Sequence, residues 1–175
     1  FYGISIIWER DMGLLQKLLI TPTPRLALIW GKMISAGIRG ITQAIIIFIV
    51  ALLLGINLKI SFLSFFGVLL IIILGGGFFS GLSMIIASIV KTRERFMGIG
   101  QVITLPLFFA SNAIYPIDIM PKWLQIVASV NPLSFMVEAL RSLIITGNYS
   151  NLLSNILFLG FATLFISIVG AYLYP

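Results

Sequence analysis

ISFLSFFGVLLIIILGGGFFSGLSMIIASIV, residues Ile60–Val90, runs for 31 residues without one charged side chain. About 20 apolar residues in helical form cross the ~30 Å hydrocarbon core of a bilayer, so this stretch reads as a membrane span. Uncharged runs also fall at Gly40–Leu58, Phe96–Ile117 and Ser142–Pro175, which predicts four complete or nearly complete spans. Composition points the same way: of 175 residues, 60% are apolar and 9% charged, with a mean hydropathy of +1.17, whereas a soluble domain carries about 25% charge. In lipid every backbone N–H and C=O must be satisfied within its own segment, and the alternating strands of a closed barrel are absent from the pattern. The expected fold is all-α, a polytopic bundle of transmembrane helices.

The residue inventory narrows the chemistry. There is no Cys and no His, and Asp and Glu together number five. Disulfides, thiolate nucleophiles and iron–sulfur ligation are excluded, and no plausible metal cage remains. An intramembrane enzyme would lack a nucleophile–base pair, and the phosphate-binding pattern G-x-x-x-x-G-K-[ST] does not occur. No catalytic, cofactor-binding or metal residue is therefore expected. The net charge of +6 does not point to nucleic acid, because Lys and Arg in a membrane protein mark cytoplasmic loops facing anionic lipid.

That charge map sets an orientation. Arg10, Lys17, Arg25 and Lys32 precede the first full span, against Glu9 and Asp11, and Lys91, Arg93 and Arg95 follow the second. Both loops belong inside by the positive-inside rule. The turn Asn57–Ser61 and the long connection after Ile117, with Asp118 and Glu138 balancing Lys122 and Arg141, belong outside. The assignments alternate as successive spans require. The apolar octet Phe1–Trp8 reads as the tail of an earlier span, and the chain stops at Pro175 without a polar tail. Residues 1–175 are thus expected to be one transmembrane domain, a fragment missing its first span, in a multi-pass protein of the plasma membrane, the inner membrane of a prokaryote.

Inside the second run, Gly77 with Gly81 and Ser83 with Ala87 form small-xxx-small pairs that permit close backbone approach. Packing against a neighbouring helix of the same chain is the plainer reading, and a hinge or a substrate-lining role the sharper one. Pro106 should kink the third span. Arg39 and Gln43, one turn apart near the inner end of the first, fit a snorkelling anchor better than a substrate contact.

Two segments are not spans. Glu9–Ile20 places Leu14, Leu15, Leu18 and Leu19 on one face among charges, an amphipathic helix stopped by Pro22 and Pro24. It reads as a helix resting on the inner leaflet or, more sharply, as a cytosolic docking element. On the other side, Lys122–Val130 and Leu133–Ile145 are short amphipathic pieces, expected to be interfacial or re-entrant, with Tyr115, Trp123 and Tyr149 at headgroup level. Glu138 and Arg141 are spaced as an i, i+3 ion pair, read as structural rather than as a substrate ligand. Asn148-Tyr149-Ser150 matches a glycosylation sequon, relevant only in a secretory-pathway host.

Glu9-Arg10, Gly13, Leu14, Lys17-Leu18-Leu19, Thr21-Pro22, Arg25 and Gly31-Lys32 resemble the first cytoplasmic loop of type-two ATP-binding-cassette (ABC) permeases. Leu105-Pro106-Leu107, Ser111, Tyr115-Pro116, Met120-Pro121, Trp123-Leu124, Asn131-Pro132-Leu133 and Glu138-Ala139-Leu140-Arg141 resemble the signature near the family's last extracellular loop. Asn112 departs from it, where Gly commonly follows the Ser. The resemblance covers essentially the whole chain. It implies the membrane subunit of a drug, polysaccharide or lipid exporter, paired with a second permease copy as a homo- or heterodimer. It also implies that loop 9–32 is the coupling element, with Glu9, Arg10, Gly13, Leu14, Leu15, Lys17, Leu18 and Leu19 meeting an ABC ATPase subunit, and that 116–150 is an extracytoplasmic short-helix region. ATP would be hydrolysed on that partner, so no cofactor is expected here. Membrane lipid is the remaining partner. An ion-coupled secondary transporter is the alternative, but none of the spans holds an Asp or Glu to relay protons.

Overall fold

The computed structural model describes residues 2–13, 24–56, 61–90 and 92–173. The chain is an all-α polytopic bundle. Among the described residues its helices are α1 (Tyr2–Asp11), α2 (Arg25–Leu53), α3 (Phe62–Ile89), α4 (Arg93–Phe109), α5 (Lys122–Val130), α6 (Pro132–Arg141) and α7 (Leu152–Leu173), with a 3-10 turn at Ile117–Ile119 and a π turn at Ser142–Thr146. Three of them, α2, α3 and α7, are long and apolar enough to cross a membrane.

α3 is the centre of the bundle and packs against α1, α2, α4, α6 and α7. It is apolar all round, as a helix surrounded by others must be, and it buries far more of its length than α2 or α7. Two clusters lie along it. At one end Ile6 and Ile7 of α1, Ile29 and Met33 of α2, Met84 and Ala87 of α3, and Phe96 of α4 close on each other. At the opposite end Val68, Ile71 and Ile72 of α3 pack with Ala139, Leu143 and Leu159. The first end also holds Lys32, Arg93 and Arg95, and is called the basic end below; the second is the far end.

Several polar side chains inside the bundle bond to backbone of a neighbouring helix or of their own, while the Ser80 Oγ and the Asn155 Nδ2 are buried without a hydrogen-bond partner. The hydroxyl of Thr163 in α7 donates to the carbonyls of Leu159 at 2.7 Å and of Leu74 in α3 at 3.2 Å. The Gly3 N–H, one of the donors that the first turn of a helix leaves without an internal partner, donates to the Ser83 hydroxyl at 2.9 Å. In hydrocarbon each such group left alone would cost several kcal/mol.

Three expected boundaries are corrected. The first span does not begin at Gly40: α2 starts at Arg25 and is 29 residues long, because Lys and Arg are good helix formers and a charge marks the edge of the membrane rather than the end of a helix. The third expected span, Phe96–Ile117, is a helix of 17 residues ending at Phe109, about 26 Å long, with Pro106 one turn from its end; Ser111 onward is turn. The last span starts at Leu152, not Ser142. Ser142–Thr146 continues α6 as a π turn, and Gly147 at φ 71° closes it. The uncharged run concealed the turn-forming stretch Gly147–Asn151.

Candidate functional site

At the basic end two acidic residues of α1 hold cations from two other helices. Glu9 accepts from the Lys32 ammonium of α2, with 18% of the Lys32 side chain and 24% of Glu9's exposed. Asp11 meets Arg93 of α4 at 3.4 Å, a more open pair, and the Arg93 guanidinium also lies 4.0 Å from the centre of the Trp8 ring, a cation–π contact. These contacts link the exit of α1 to the second turn of α2 and, through a weaker exposed pair, to the start of α4. Between that exit and Arg25 lies the loop in which the coupling residues were expected.

That loop does not carry one helix from Glu9 to Ile20. Glu9, Arg10 and Asp11 form the last turn of α1, and Gly13 follows at φ 69°, the left-handed position at which glycine ends helices. Leu14, Leu15, Lys17, Leu18 and Leu19 lie outside the described residues.

At the far end Asn131, buried between α5 and α6, caps two helices. Its Oδ1 accepts from the Leu133 N–H at 3.0 Å, capping α6 with Pro132 at the first helical position. Its Nδ2 donates to the carbonyls of Leu107 at 2.6 Å and Ala110 at 3.3 Å, two acceptors that the end of α4 leaves without an internal partner. Ser111 donates to the Phe108 carbonyl at 2.6 Å, and the Asn112 N–H donates to the Ser134 hydroxyl at 3.3 Å. No described non-glycine residue has a positive φ, so the backbone at Asn112, where the resembled family commonly has Gly, is not strained, although the Asn112 Oδ1 is buried without a hydrogen-bond partner. α5 and the helix running on from Pro132 through Thr146 meet at a bend of 78° at Asn131.

The expected Glu138–Arg141 ion pair does not form: Arg141 donates from Nη2 to the Asn112 carbonyl at 3.2 Å. Arg141 is exposed, where an ion pair adds little and a carbonyl at the loop is as good a partner. Both residues still line one hollow of about 210 Å³ with Ser142, Thr146, Asn148 and Ser150. Tyr149 reaches the Ser64 hydroxyl at 3.2 Å, pinning the start of α7 to α3.

Gly77 faces Thr163 of α7 and Met33 of α2, Gly81 is covered by Ile166 of α7, and Ala87 is fully buried against α1 and α2. The tightest crossing between α2 and α3 is elsewhere. A Cβ on Gly37 would stand 2.9 Å from the Ile73 Cα, and one on Gly76 3.3 Å from the Gly37 Cα. Gly37 was not singled out from the sequence, although Ala36-Gly37 and Gly40 mark a run of small residues there.

Three cavities among the described residues border α2, and two of them contrast in character. A cleft of about 740 Å³ opens at the basic end between α1 and α2, lined by Ser5, Glu9, Lys32, Ser35 and Arg39. An apolar hollow of about 240 Å³ lies nearer the far end, between α2 and α3, walled by Ile45, Phe48, Ile49, Phe65 and Val68 among others. Neither is legible in the sequence, because each is assembled from side chains of different helices that meet only in the fold. Sequence reading did note Arg39 and Lys32 separately.

The ABC-2 type transporter family matches residues 1–145. The chain is 31% identical over 145 residues to a protein named as the transport permease ycf38 of Cyanophora paradoxa, covering 81% of this chain and 49% of that protein. It is 25% identical over 143 residues to the daunorubicin resistance ABC transporter permease protein DrrB1 of Streptomyces coeruleorubidus, 82% and 50% of the two. To a multidrug ABC transporter permease, YbhR, of Escherichia coli K12, it is 26% identical over 146 residues, 81% and 38%. The chain spans about half the length or less of these relatives. No solved structure matches it.

Proposed function

This chain belongs to the ABC-2 type transporter family, and from that footing we propose that it forms the permease of an ATP-driven exporter in the cell membrane. It works as a dimer with a second permease copy and moves a hydrophobic or amphipathic compound, while a separate ABC ATPase hydrolyses ATP. The observation that carries this reading is the double clamp at the basic end. Glu9 on Lys32 and Asp11 on Arg93 tie the exit of α1, where the loop starts, to two helices at once, so a push on that loop is passed to α2 and α4 together. The apolar hollow beside α2 and the names of two relatives, one for daunorubicin resistance and one for multidrug transport, support an apolar cargo.

A gate taken from 1:99 to 99:1 needs about 5.5 kcal/mol of differential interaction, and each leucine seated in a partner's cleft supplies roughly 1.5–3 kcal/mol. Two or three of Leu14, Leu15, Leu18 and Leu19 are therefore enough. Leu15→Asp and Leu18→Asp should leave the permease inserted and dimeric but without a bound ATPase, and Lys17→Ala should do little. Co-purification of the ATPase with each variant checks this. Retained binding in both Asp variants would remove the docking role, and transport that stops on collapse of the proton gradient with ATP still present would favour ion coupling.

A further inference from the structure

α2 carries an uninterrupted stripe at alternating steps of three and four residues: Lys32, Ser35, Arg39, Thr42, Ile46, Ile49 and Leu53. Such spacing keeps side chains on one face of a helix. The first three line the 740 Å³ cleft at the basic end. Ile46, Ile49 and Leu53 are at least half exposed, and Ile49 is also part of the wall of the apolar hollow. This face thus runs from a polar, cationic cleft to exposed apolar side chains, and at Ile49 it borders the recess, whose other α2 residues, Ile41, Ala44, Ile45, Phe48 and Leu52, lie on the neighbouring face. The cleft walls contain two cations, Lys32 and Arg39, against one carboxylate, Glu9, which is already paired with Lys32, so the charge of Arg39 is the one in excess, in a cleft also lined by Ser5 and Ser35. Arg39 stands seven residues beyond Lys32, about 10 Å further along the helix, and Ile49 about 15 Å beyond Arg39.

We propose that the α1–α2 cleft binds the phosphate headgroup of an anionic phospholipid, with an acyl chain laid along Thr42 and Ile46 to the hollow at Ile49. The net positive wall complements a phosphodiester, and hydroxyls and guanidinium donors suit its oxygens. Basic pockets between helices on the cytoplasmic side of a membrane take anionic headgroups for the same reason. The apolar half of the stripe distinguishes a lipid from a free anion, since inorganic phosphate makes no use of it.

The test is native mass spectrometry of the purified full-length permease in a neutral detergent, titrated with phosphatidylglycerol, with phosphatidylcholine and with inorganic phosphate. Phosphatidylglycerol should bind more tightly than phosphatidylcholine, and millimolar phosphate should not displace it. Arg39→Gln should weaken phosphatidylglycerol about fivefold or more, and Lys122→Gln, at the other end of the bundle, should leave it unchanged. Ala27, exposed on the same cleft wall, offers a second variant: Ala27→Glu adds a carboxylate there, should weaken phosphatidylglycerol binding as well, and covers the case in which Arg39→Gln fails to fold. Equal binding of both lipids, or unchanged affinity in the variants, would overturn the assignment. Displacement by phosphate would overturn it in favour of a free anion, and a dimer-to-monomer shift at unchanged lipid affinity would give the stripe to a second copy. Neither ATP nor transport enters the measurement, so its outcome is independent of the exporter reading.

Discussion

Asn131 donates to two carbonyls of α4 and accepts from the first turn of α6, so truncating it uncaps two helices at once. Asn131→Ala should cost about 1–3 kcal/mol, the range for leaving buried partners unsatisfied, read as a lower apparent melting temperature of the purified protein. Asn131→Asp keeps the acceptor but cannot donate, and it sets a charge against the carbonyls of Leu107 and Ala110. It should be no better than Ala; a melting temperature unchanged in either variant would show that water replaces the cap. Half of this role was legible: Asn-Pro ahead of an amphipathic run announces a helix start. The other half, the bond to α4, spans 24 residues of chain and exists only once the helices meet. Glu138 and Arg141 teach the converse, since their spacing permitted a pair that a nearer carbonyl displaced.

Glycines in the bundle separate into those that are pressed and those that are not. Gly37 and Gly31 sit in the same helix, yet a Cβ at Gly37 meets the backbone of Ile73 and one at Gly31 meets nothing within 4 Å. Gly37→Ala should therefore force α2 and α3 apart and lower the yield of folded protein, whereas Gly31→Ala should be neutral or gain up to about 1 kcal/mol of helix propensity. Gly81→Leu, against Ile166, should resemble Gly37→Ala more severely. Fluorescence-detected size exclusion after extraction distinguishes these outcomes, and equal yields for Gly37→Ala and Gly31→Ala would refute the close crossing. The existence and class of the helices followed from hydropathy, and the short pieces Lys122–Val130 and Pro132–Arg141 from their amphipathic spacing. Their ends did not follow where charge was used as punctuation: Arg25–Arg39 is helix despite its cations, and Gly147–Asn151 is turn despite having none.

The arrangement of the whole chain fixes which ends lie together. Thr92 follows α3 at the basic end, beside Arg93 and its partner Asp11, and Asn148 lies at the far end beside Tyr149 and its partner Ser64. With the basic end inside, a cysteine introduced at 148 in this Cys-free chain should react with an impermeant maleimide in intact cells, and one at 92 only after lysis. The reverse pattern would invert the topology. The helices that share this frame differ in length, and α4 at 17 residues stands against α2 at 29. α4 is not among the helices long and apolar enough to cross, so where it inserts beside α2 and α3 the strain of hydrophobic mismatch, a fraction of a kcal/mol per Å, is relieved by drawing the two leaflets together beside it. The permease should therefore be most thermostable in short-acyl vesicles and lose stability as the acyl chains lengthen. A molecule carried past α4 would cross the membrane where it is thinnest.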